Sequence, residues 1–216
     1  MTIVLIDYES GNLHSAQKAF ELMAGEVGAG DVIVTADPDL VAKADRIVLP
    51  GDGAFPACAA ALRAVDGMTE ALETAVHGRG VPFLGICVGL QLLATRGHEY
   101  EETPGLDWIG GDIVHIEPGS GPNEAQLKVP HMGWNDLVIE RPHPLLAGVS
   151  SGEHVYFVHS WQFSVANPAD RLAYVDYGQQ ITAIVAKGNV AGMQFHPEKS
   201  QATGLRMIAN FLSWNP

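Results

Sequence analysis

The sequence predicts an α/β fold in which a mostly parallel, doubly wound sheet carries helices on both faces. Solid apolar runs that alternate with helical segments are typical of such a sheet, because its strands are buried on both sides. A length of 216 residues and a hydrophobic content of 47% suit one substantial core. We therefore expect a single domain spanning residues 1–216. The predicted buried strands are residues 3–6, 32–34, 47–49 and 81–84.

Helical segments separate these strands. Residues 13–23 place apolar side chains at 13, 16, 20 and 23, close to helical spacing. Residues 69–76 form a second helical segment before the fourth strand. After about residue 96 the pattern changes to shorter strands, which predict a smaller mixed or antiparallel sheet, with a surface loop at 119–123. The predicted later elements are strands 109–116, 137–140, 154–159, 172–176, 180–185 and 189–195, and a helix over 204–212.

Composition excludes several classes of protein. A net charge of −13 lacks the basic footprint of a nucleic-acid-binding protein. The longest apolar stretch, 81–94, is interrupted by Pro82, Gly85 and Gly89 and is too short to cross a membrane. Residues 1–7 lack a basic start and resemble a first strand rather than a signal peptide. Two cysteines provide no disulfide framework, so we expect a cytoplasmic protein.

Metal and cofactor sites are not predicted either. The histidines lack paired zinc-ligand spacing, and the chain has no Cys-x-x-Cys motif. It also has no phosphate-binding P-loop, and Gly51-x-Gly53 lacks the third glycine of a dinucleotide fingerprint. Trp134 and Trp161 are predicted to pack in the core, with an interface position equally compatible for Trp134.

The segment Gly85-Ile86-Cys87-Val88-Gly89 carries the strongest chemical signal. It follows a predicted strand and precedes a predicted helix over 88–94, which is the arrangement of a nucleophile elbow. A thiol at the start of a helix is favoured as thiolate, the reactive form of cysteine. The alternative is that Cys87 is a small buried apolar residue, as we expect for Cys58 in its apolar helix.

A base for this nucleophile is available near the C-terminus. His196 and Glu198 follow the predicted strand 189–195, and in extended backbone their side chains would point to the same side. Glu198 could then orient one ring nitrogen of His196 while the other takes the thiol proton. A surface ion pair is the alternative interpretation.

A third segment, Pro50-Gly51-Asp52-Gly53, follows the strand 47–49. Its glycines allow backbone N–H groups to face inwards, as an oxyanion hole requires. Taken alone, this segment is equally typical of an ordinary strand-to-helix turn.

Together, Pro50-Gly51-x-Gly53, Gly85-x-Cys87-x-Gly89-x-Gln91 and His196-Pro197-Glu198 resemble the class I, triad-type glutamine amidotransferases. The resemblance implies a flavodoxin-like fold, no cofactor, and L-glutamine as substrate. It implies that Cys87 attacks the glutamine amide, releases ammonia and forms a thioester. It assigns His196 as acid and base and Glu198 as its orienter. By the same resemblance, the oxyanion donors are Val88 with Asp52 or Gly53, and the substrate-binding residues are Gly51, Gly89 and Gln91.

Further segments resemble one branch of that family, the glutaminase subunits of imidazole glycerol phosphate synthases. These are Asp7-Tyr8-x-x-Gly11-Asn12-Leu13, residues 130–135, residues 156–160 and Lys199-Ser200. This resemblance implies a heterodimer with a (β/α)8-barrel cyclase, contacted by Asn12, Trp134, Tyr156 and Lys199. Asp52 departs from the small apolar residue usual at its position, and we expect its side chain to face solvent or a basic partner.

Other functions remain open at this point. The chain could serve anthranilate or guanylate synthesis, although residues 7–13 and Lys199 speak against this. It could be a thiol hydrolase or stress protein that acts alone, although Gln91 and the loop at Pro50 favour a glutaminase. A scaffold without catalytic activity is the third possibility, against which the complete triad speaks.

Overall fold

The computed structural model describes residues 1–118 and 127–216, so the loop expected at 119–123 lies outside the described residues. The strands are β1 (Thr2–Ile6), β2 (Asp31–Thr35), β3 (Arg46–Gly51), β4 (Phe83–Cys87), β5 (Arg96–Gly97), β6 (Thr103–Pro104), β7 (Gly111–His115), β8 (His131–Asp136), β9 (Val138–Ile139), β10 (His154–His159), β11 (Trp161–Val165), β12 (Arg171–Asp176), β13 (Gln180–Lys187) and β14 (Val190–Met193). The α-helices are α1 (Leu13–Val27), α2 (Pro38–Lys43), α3 (Phe55–Ala64), α4 (Met68–Leu72), α5 (Val88–Gln91) and α6 (Gln201–Ser213).

An eight-stranded sheet with the order β2-β1-β3-β4-β14-β13-β12-β9 forms the centre of the fold. The first five strands in this order pair in parallel, and the last three pair antiparallel. The parallel strands β1, β3, β4 and β14 are almost entirely buried, which explains their continuous apolar sequences. The predicted α/β fold is therefore confirmed.

Helices cover this sheet in separate groups. Helix α1 packs along α6, where the rings of Phe20 and Phe211 meet edge-on with their centroids 6.4 Å apart. Helix α1 is stopped by Gly28, whose left-handed conformation at φ 66° suits glycine. A second group is formed by α2 and α3, each of which packs against α4. Within the described residues, no helix is both long and apolar enough to cross a bilayer.

Two smaller sheets complete the described structure. Strands β8 and β10 form an antiparallel ribbon, and the second sheet has the order β11-β7-β5-β6. The sequence analysis missed β8 and β11. The prediction that the later strands 137–140, 172–176 and 180–185 belong to a small sheet was also wrong, because β9, β12 and β13 extend the central sheet.

Several boundaries differ from the prediction for local reasons. Strand β4 begins at Phe83 and continues to Cys87 itself, whereas the strand predicted over 81–84 ended before the elbow. The helix predicted over 88–94 ends at Gln91, because the chain then makes tight turns in which the N–H groups of Leu93 and Ala94 bond to carbonyls three residues earlier. Helix α6 begins at Gln201, ahead of the predicted start at 204.

The topology brings the candidate site together. Because β1, β3, β4 and β14 are neighbouring parallel strands, their carboxyl ends lie at one edge of the sheet. Ligands of open α/β sheets bind at this edge. Cys87 is the last residue of β4, and the segments after β1, β3 and β14 contain Ser10, Asp52 and His196.

Candidate active site

Cys87 occupies a strained turn between β4 and α5. Its backbone has φ 56° and ψ −112°, and a positive φ is uncommon for a residue other than glycine. Such strain persists where the surrounding structure enforces it, and it occurs often at active sites. The geometry matches the predicted nucleophile elbow, in which Cys87 ends the strand and Val88 begins the helix.

The glycines around Cys87 have a steric function. A Cβ on Gly89 would collide with the backbone carbonyl oxygen of Leu49 in β3, and a Cβ on Gly85 would collide with the carbonyl of Gly89. A Cβ on Gly51 would lie 2.7 Å from the Gly89 nitrogen. Only glycine at these positions lets the elbow pack backbone to backbone on β3. This close packing holds Gly51 beside Cys87, its register partner in the β3–β4 pair.

His196 and Glu198 form a buried pair beside Cys87. The His196 Nδ1 and Glu198 Oε1 atoms are 2.8 Å apart, and the two side chains are only 5% and 3% exposed. The sequence interpretation was right about the pair but wrong about its backbone, because Pro197–Lys199 form a 3-10 turn rather than an extended segment. His196 itself is extended, at φ −93° and ψ 100°, as a residue before proline tends to be. Burial makes this pair unlike a solvated surface ion pair.

The electrostatics of this pair favour a protonated imidazole. Burial by itself lowers the pKa of His196, but its interactions with Cys87 and with Glu198 together raise that pKa above its ordinary value. Glu198 Oε2 is buried and has no hydrogen-bond partner among the described residues, so His196 is the main group that compensates the carboxylate. An imidazolium between Cys87 and Glu198 is the arrangement that stabilises a thiolate.

The loop after β3 is held by Ser10. The Asp52 N–H donates to Ser10 Oγ at 3.2 Å, and Ser10 Oγ donates to the Asp52 carbonyl at 2.8 Å. Strands β1 and β4 flank β3 on opposite sides, and Ser10 follows β1. The Asp52 N–H is thus occupied by Ser10 in this structure, and the Asp52 residue is exposed.

A cavity of about 220 Å³ opens beside Cys87. Its wall includes Val88 and Gln91 from α5, Gly53 from the loop, and the segment 158–161. Trp161 therefore borders the cavity and also packs against the core, as predicted. Gly51 and Gly89 do not border this cavity, and the contact predicted between each of them and the substrate stays a prediction.

Sequence reasoning missed Glu99, which also borders the cavity. One of its carboxylate oxygens accepts a 2.7 Å hydrogen bond from the Phe55 N–H at the start of α3. A carboxylate there could bind a cationic group of a ligand. Glu99 lies in a polar turn with Glu101 and Glu102, where an acid ordinarily indicates a solvated surface, so no local signal identified it.

The four predicted partner residues lie at the surface or near it. Asn12 is exposed and caps α1 by accepting the Ser15 N–H at 3.3 Å, and Lys199 is exposed in the turn after Glu198. Trp134 is 47% exposed and packs edge-on against Tyr156, with ring centroids 5.8 Å apart. The core position considered for Trp134 was therefore wrong.

Comparisons with known proteins agree with this geometry. The glutamine amidotransferase class-I family model matches residues 4–214. The chain is 65% identical to imidazole glycerol phosphate synthase subunit HisH from Ruegeria pomeroyi and 61% identical to the subunit of the same name from Cereibacter sphaeroides, in each case over 100% of both chains. A crystal structure of a glutamine amidotransferase shares the fold, with a TM-score of 0.71 at 17% identity over 98% of this chain and 99% of the other. The chain belongs to the class I glutamine amidotransferase family.

Proposed function

We propose that this chain is the glutaminase subunit of an imidazole glycerol phosphate synthase in histidine biosynthesis. The observation that carries the chemistry is the strained Cys87 next to the buried His196–Glu198 pair at one edge of the sheet. The full-length similarity to HisH subunits supports the pathway. Relatives of that name also favour this pathway over anthranilate or guanylate synthesis.

The residues support a two-stage reaction. The Cys87 thiolate attacks the side-chain amide carbon of glutamine, and the carbonyl oxygen takes up the negative charge. His196 then gives its proton to the leaving nitrogen, the C–N bond breaks, and ammonia and a γ-glutamyl thioester result. Neutral His196 next takes a proton from water, which attacks the thioester and releases glutamate while Cys87 regains its thiolate. Glu198 holds the ring orientation throughout, and no step needs a metal or cofactor.

Val88 N–H and a backbone N–H of the loop 51–53 are the proposed oxyanion donors. Preorganised donors of this kind stabilise the tetrahedral intermediate. In the structure, the Asp52 N–H is bonded to Ser10, so we infer that a peptide rotation is required to supply this donor. Glycine on both sides of Asp52 makes such a rotation inexpensive. We infer that the isolated chain is a poor glutaminase and that the partner promotes the rotation.

The partner in this proposal is a (β/α)8-barrel cyclase. It takes up the ammonia and converts a phosphoribulosyl-formimino carboxamide ribonucleotide into imidazole glycerol phosphate and aminoimidazole carboxamide ribonucleotide. The proposed contact surface consists of Trp134 and Tyr156, which pack against each other, together with Asn12 and Lys199. Tyr156 is bonded directly to the catalytic turn, since its carbonyl accepts the His196 N–H at 3.1 Å. A partner that shifts Tyr156 would therefore act on the base.

Glutamate release from glutamine, measured with and without purified cyclase, tests this function. We expect slow release by the chain alone and strong stimulation when the cyclase and its ribonucleotide ligand are added. Rapid release by the chain alone, unchanged by the cyclase, would indicate a thiol hydrolase that acts independently. Absence of release in both conditions would indicate a scaffold and contradict the proposal.

A further inference from the structure

A pair of buried histidines lies outside the proposed triad. His131 begins β8 and His159 ends β10, and the antiparallel register of the ribbon places them opposite each other. The two residues are 2% and 6% exposed, and His131 Nδ1 lies 3.0 Å from His159 Nε2. Burial lowers the pKa of His131 to about 4 and that of His159 to about 3, so both rings are neutral near neutral pH.

The hydrogen bonds of this pair fix both tautomers. His159 Nδ1 lies 2.8 Å from the Trp161 carbonyl oxygen, which can only accept, so Nδ1 carries the hydrogen and Nε2 is an acceptor. His131 must then donate from Nδ1, which leaves its Nε2 to accept from Asn135 Nδ2 at 3.2 Å. The donors therefore point in one direction, from Asn135 on β8 towards the Trp161 carbonyl.

The same carbonyl also orients the site. Gln91 Nε2 donates to the Trp161 oxygen at 3.1 Å and to Gln194 Oε1 at 3.2 Å. Gln194 is fully buried, and its Nε2 lies 3.9 Å from Cys87 Sγ. Both acceptors require the nitrogen of the Gln91 amide, because a flipped amide would place its oxygen against two other oxygens. The Trp161 carbonyl thus selects the orientation in which Gln91 Oε1 turns away from both acceptors.

We propose that His159 is a positioning residue for the glutaminase reaction, acting with His131 to fix the Trp161 carbonyl and, through it, the amides of Gln91 and Gln194 beside Cys87. This inference rests on the function proposed above and extends it to the ribbon β8–β10. The ribbon carries the exposed Trp134 on the face opposite to His131 and Asn135, since side chains alternate along a strand. A displacement of β8 would therefore reach the nucleophile through this buried chain of bonds.

Two amide substitutions of His159 test the proposal. An asparagine amide can occupy the place of Nδ1 and keep a donor for Trp161, whereas a glutamine amide reaches the place of Nε2 and leaves the carbonyl without that donor. In the complex with the cyclase, we expect His159→Gln to lower kcat/KM for L-glutamine roughly three- to tenfold, the cost of one lost hydrogen bond. His159→Asn should retain most of that value. Synthesis driven by added ammonium should be unchanged in both variants.

The control is His143→Gln. The His143 ring packs edge-on against Trp214, with ring centroids 5.1 Å apart, away from Cys87. This variant should match the wild type. Equal losses in both His159 variants, or a His159→Gln complex within twofold of the wild type, would overturn the proposal. A wild-type complex that releases no glutamate would instead contradict the proposed function.

A spectroscopic measurement covers the case in which His159→Gln fails to fold. Nitrogen-15 spectra of the wild-type complex, labelled at histidine, report which ring nitrogen carries the hydrogen. We expect both His131 and His159 to carry it on Nδ1 at neutral pH. A His159 ring with hydrogen on Nε2, or a charged ring, would overturn the proposal.

Discussion

Ser10 offers a direct way to test the control of the oxyanion loop. Its hydroxyl makes two hydrogen bonds to the backbone of Asp52, at 3.2 Å to the N–H and 2.8 Å to the carbonyl. Each such bond contributes about 0.5–1.5 kcal/mol, so Ser10→Ala should destabilise the held conformation by about 1–3 kcal/mol. The Cys58 thiol, 3.5 Å from the same carbonyl, remains and retains part of the restraint.

This free-energy range corresponds to a change of roughly 5- to 150-fold in the loop equilibrium. The gain in turnover has an upper limit, since one oxyanion donor increases turnover by a factor of about 10²–10³. We therefore expect the isolated Ser10→Ala chain to release glutamate about tenfold faster than the wild type. The maximal rate with cyclase and its ligand should be unchanged, so the stimulation factor should shrink.

The assay is glutamate release by the isolated chain and by the complex, with Ser15→Ala as the matched control in the first turn of α1. Ser15→Ala should behave as the wild type in both. If Ser10→Ala leaves the basal rate unchanged while the chain stays folded, the hydroxyl does not restrain the loop and this reasoning is wrong.

Three further outcomes are expected. Glu198→Gln should lower glutamine turnover less than His196→Ala, because the acid orients the ring whereas the ring transfers the proton; equal losses in folded complexes would contradict these roles. Burial lowers the pKa of His159 to about 3, so the folded state binds fewer protons at this ring than the unfolded state does. The unfolding free energy of the wild type should therefore be highest above pH ~6.5 as far as His159 is concerned, and should decrease as the pH falls. Between pH ~6.5 and ~5, the unfolding free energy measured by urea titration should decrease by roughly 1–2 kcal/mol less in His159→Asn than in the wild type. Equal decreases in the two proteins would refute this. Lys199→Ala should reduce stimulation by the cyclase ligand without a shift in unfolding temperature, and full stimulation would count against a partner contact there.

Continuous strands made the catalytic edge predictable from sequence. The apolar runs before Pro50, Cys87 and His196 each belong to buried parallel strands, so the residues that follow them had to meet at one edge. The glycines around Cys87 also indicated a tight turn, and the structure gives the reason in the close packing on Leu49. Here local pattern and tertiary structure coincide.

The polar parts of the site could not be predicted in this way. Strand β8 contains Gly133 and three polar residues, and its two large apolar residues, Met132 and Trp134, are exposed, so its pattern did not indicate a core-facing strand. The pairing of His131 with His159 depends on the register with β10. The restraint of Asp52 by Ser10 likewise joins residues distant in sequence. Glu99 is held at the cavity by a hydrogen bond from the N–H of Phe55, a residue distant in sequence. Long-range contacts of this kind leave no periodic pattern in the chain.

The most direct test of the central claim compares the two cysteines in the complex with the cyclase. Cys58 is buried in α3, and burial raises the pKa of its thiol, so it is a matched control for Cys87. We expect Cys87→Ala to abolish imidazole glycerol phosphate synthesis from glutamine and to leave synthesis from added ammonium intact. Cys58→Ala should keep both. Glutamine-dependent synthesis that survives in Cys87→Ala would contradict the assignment of Cys87 as the nucleophile.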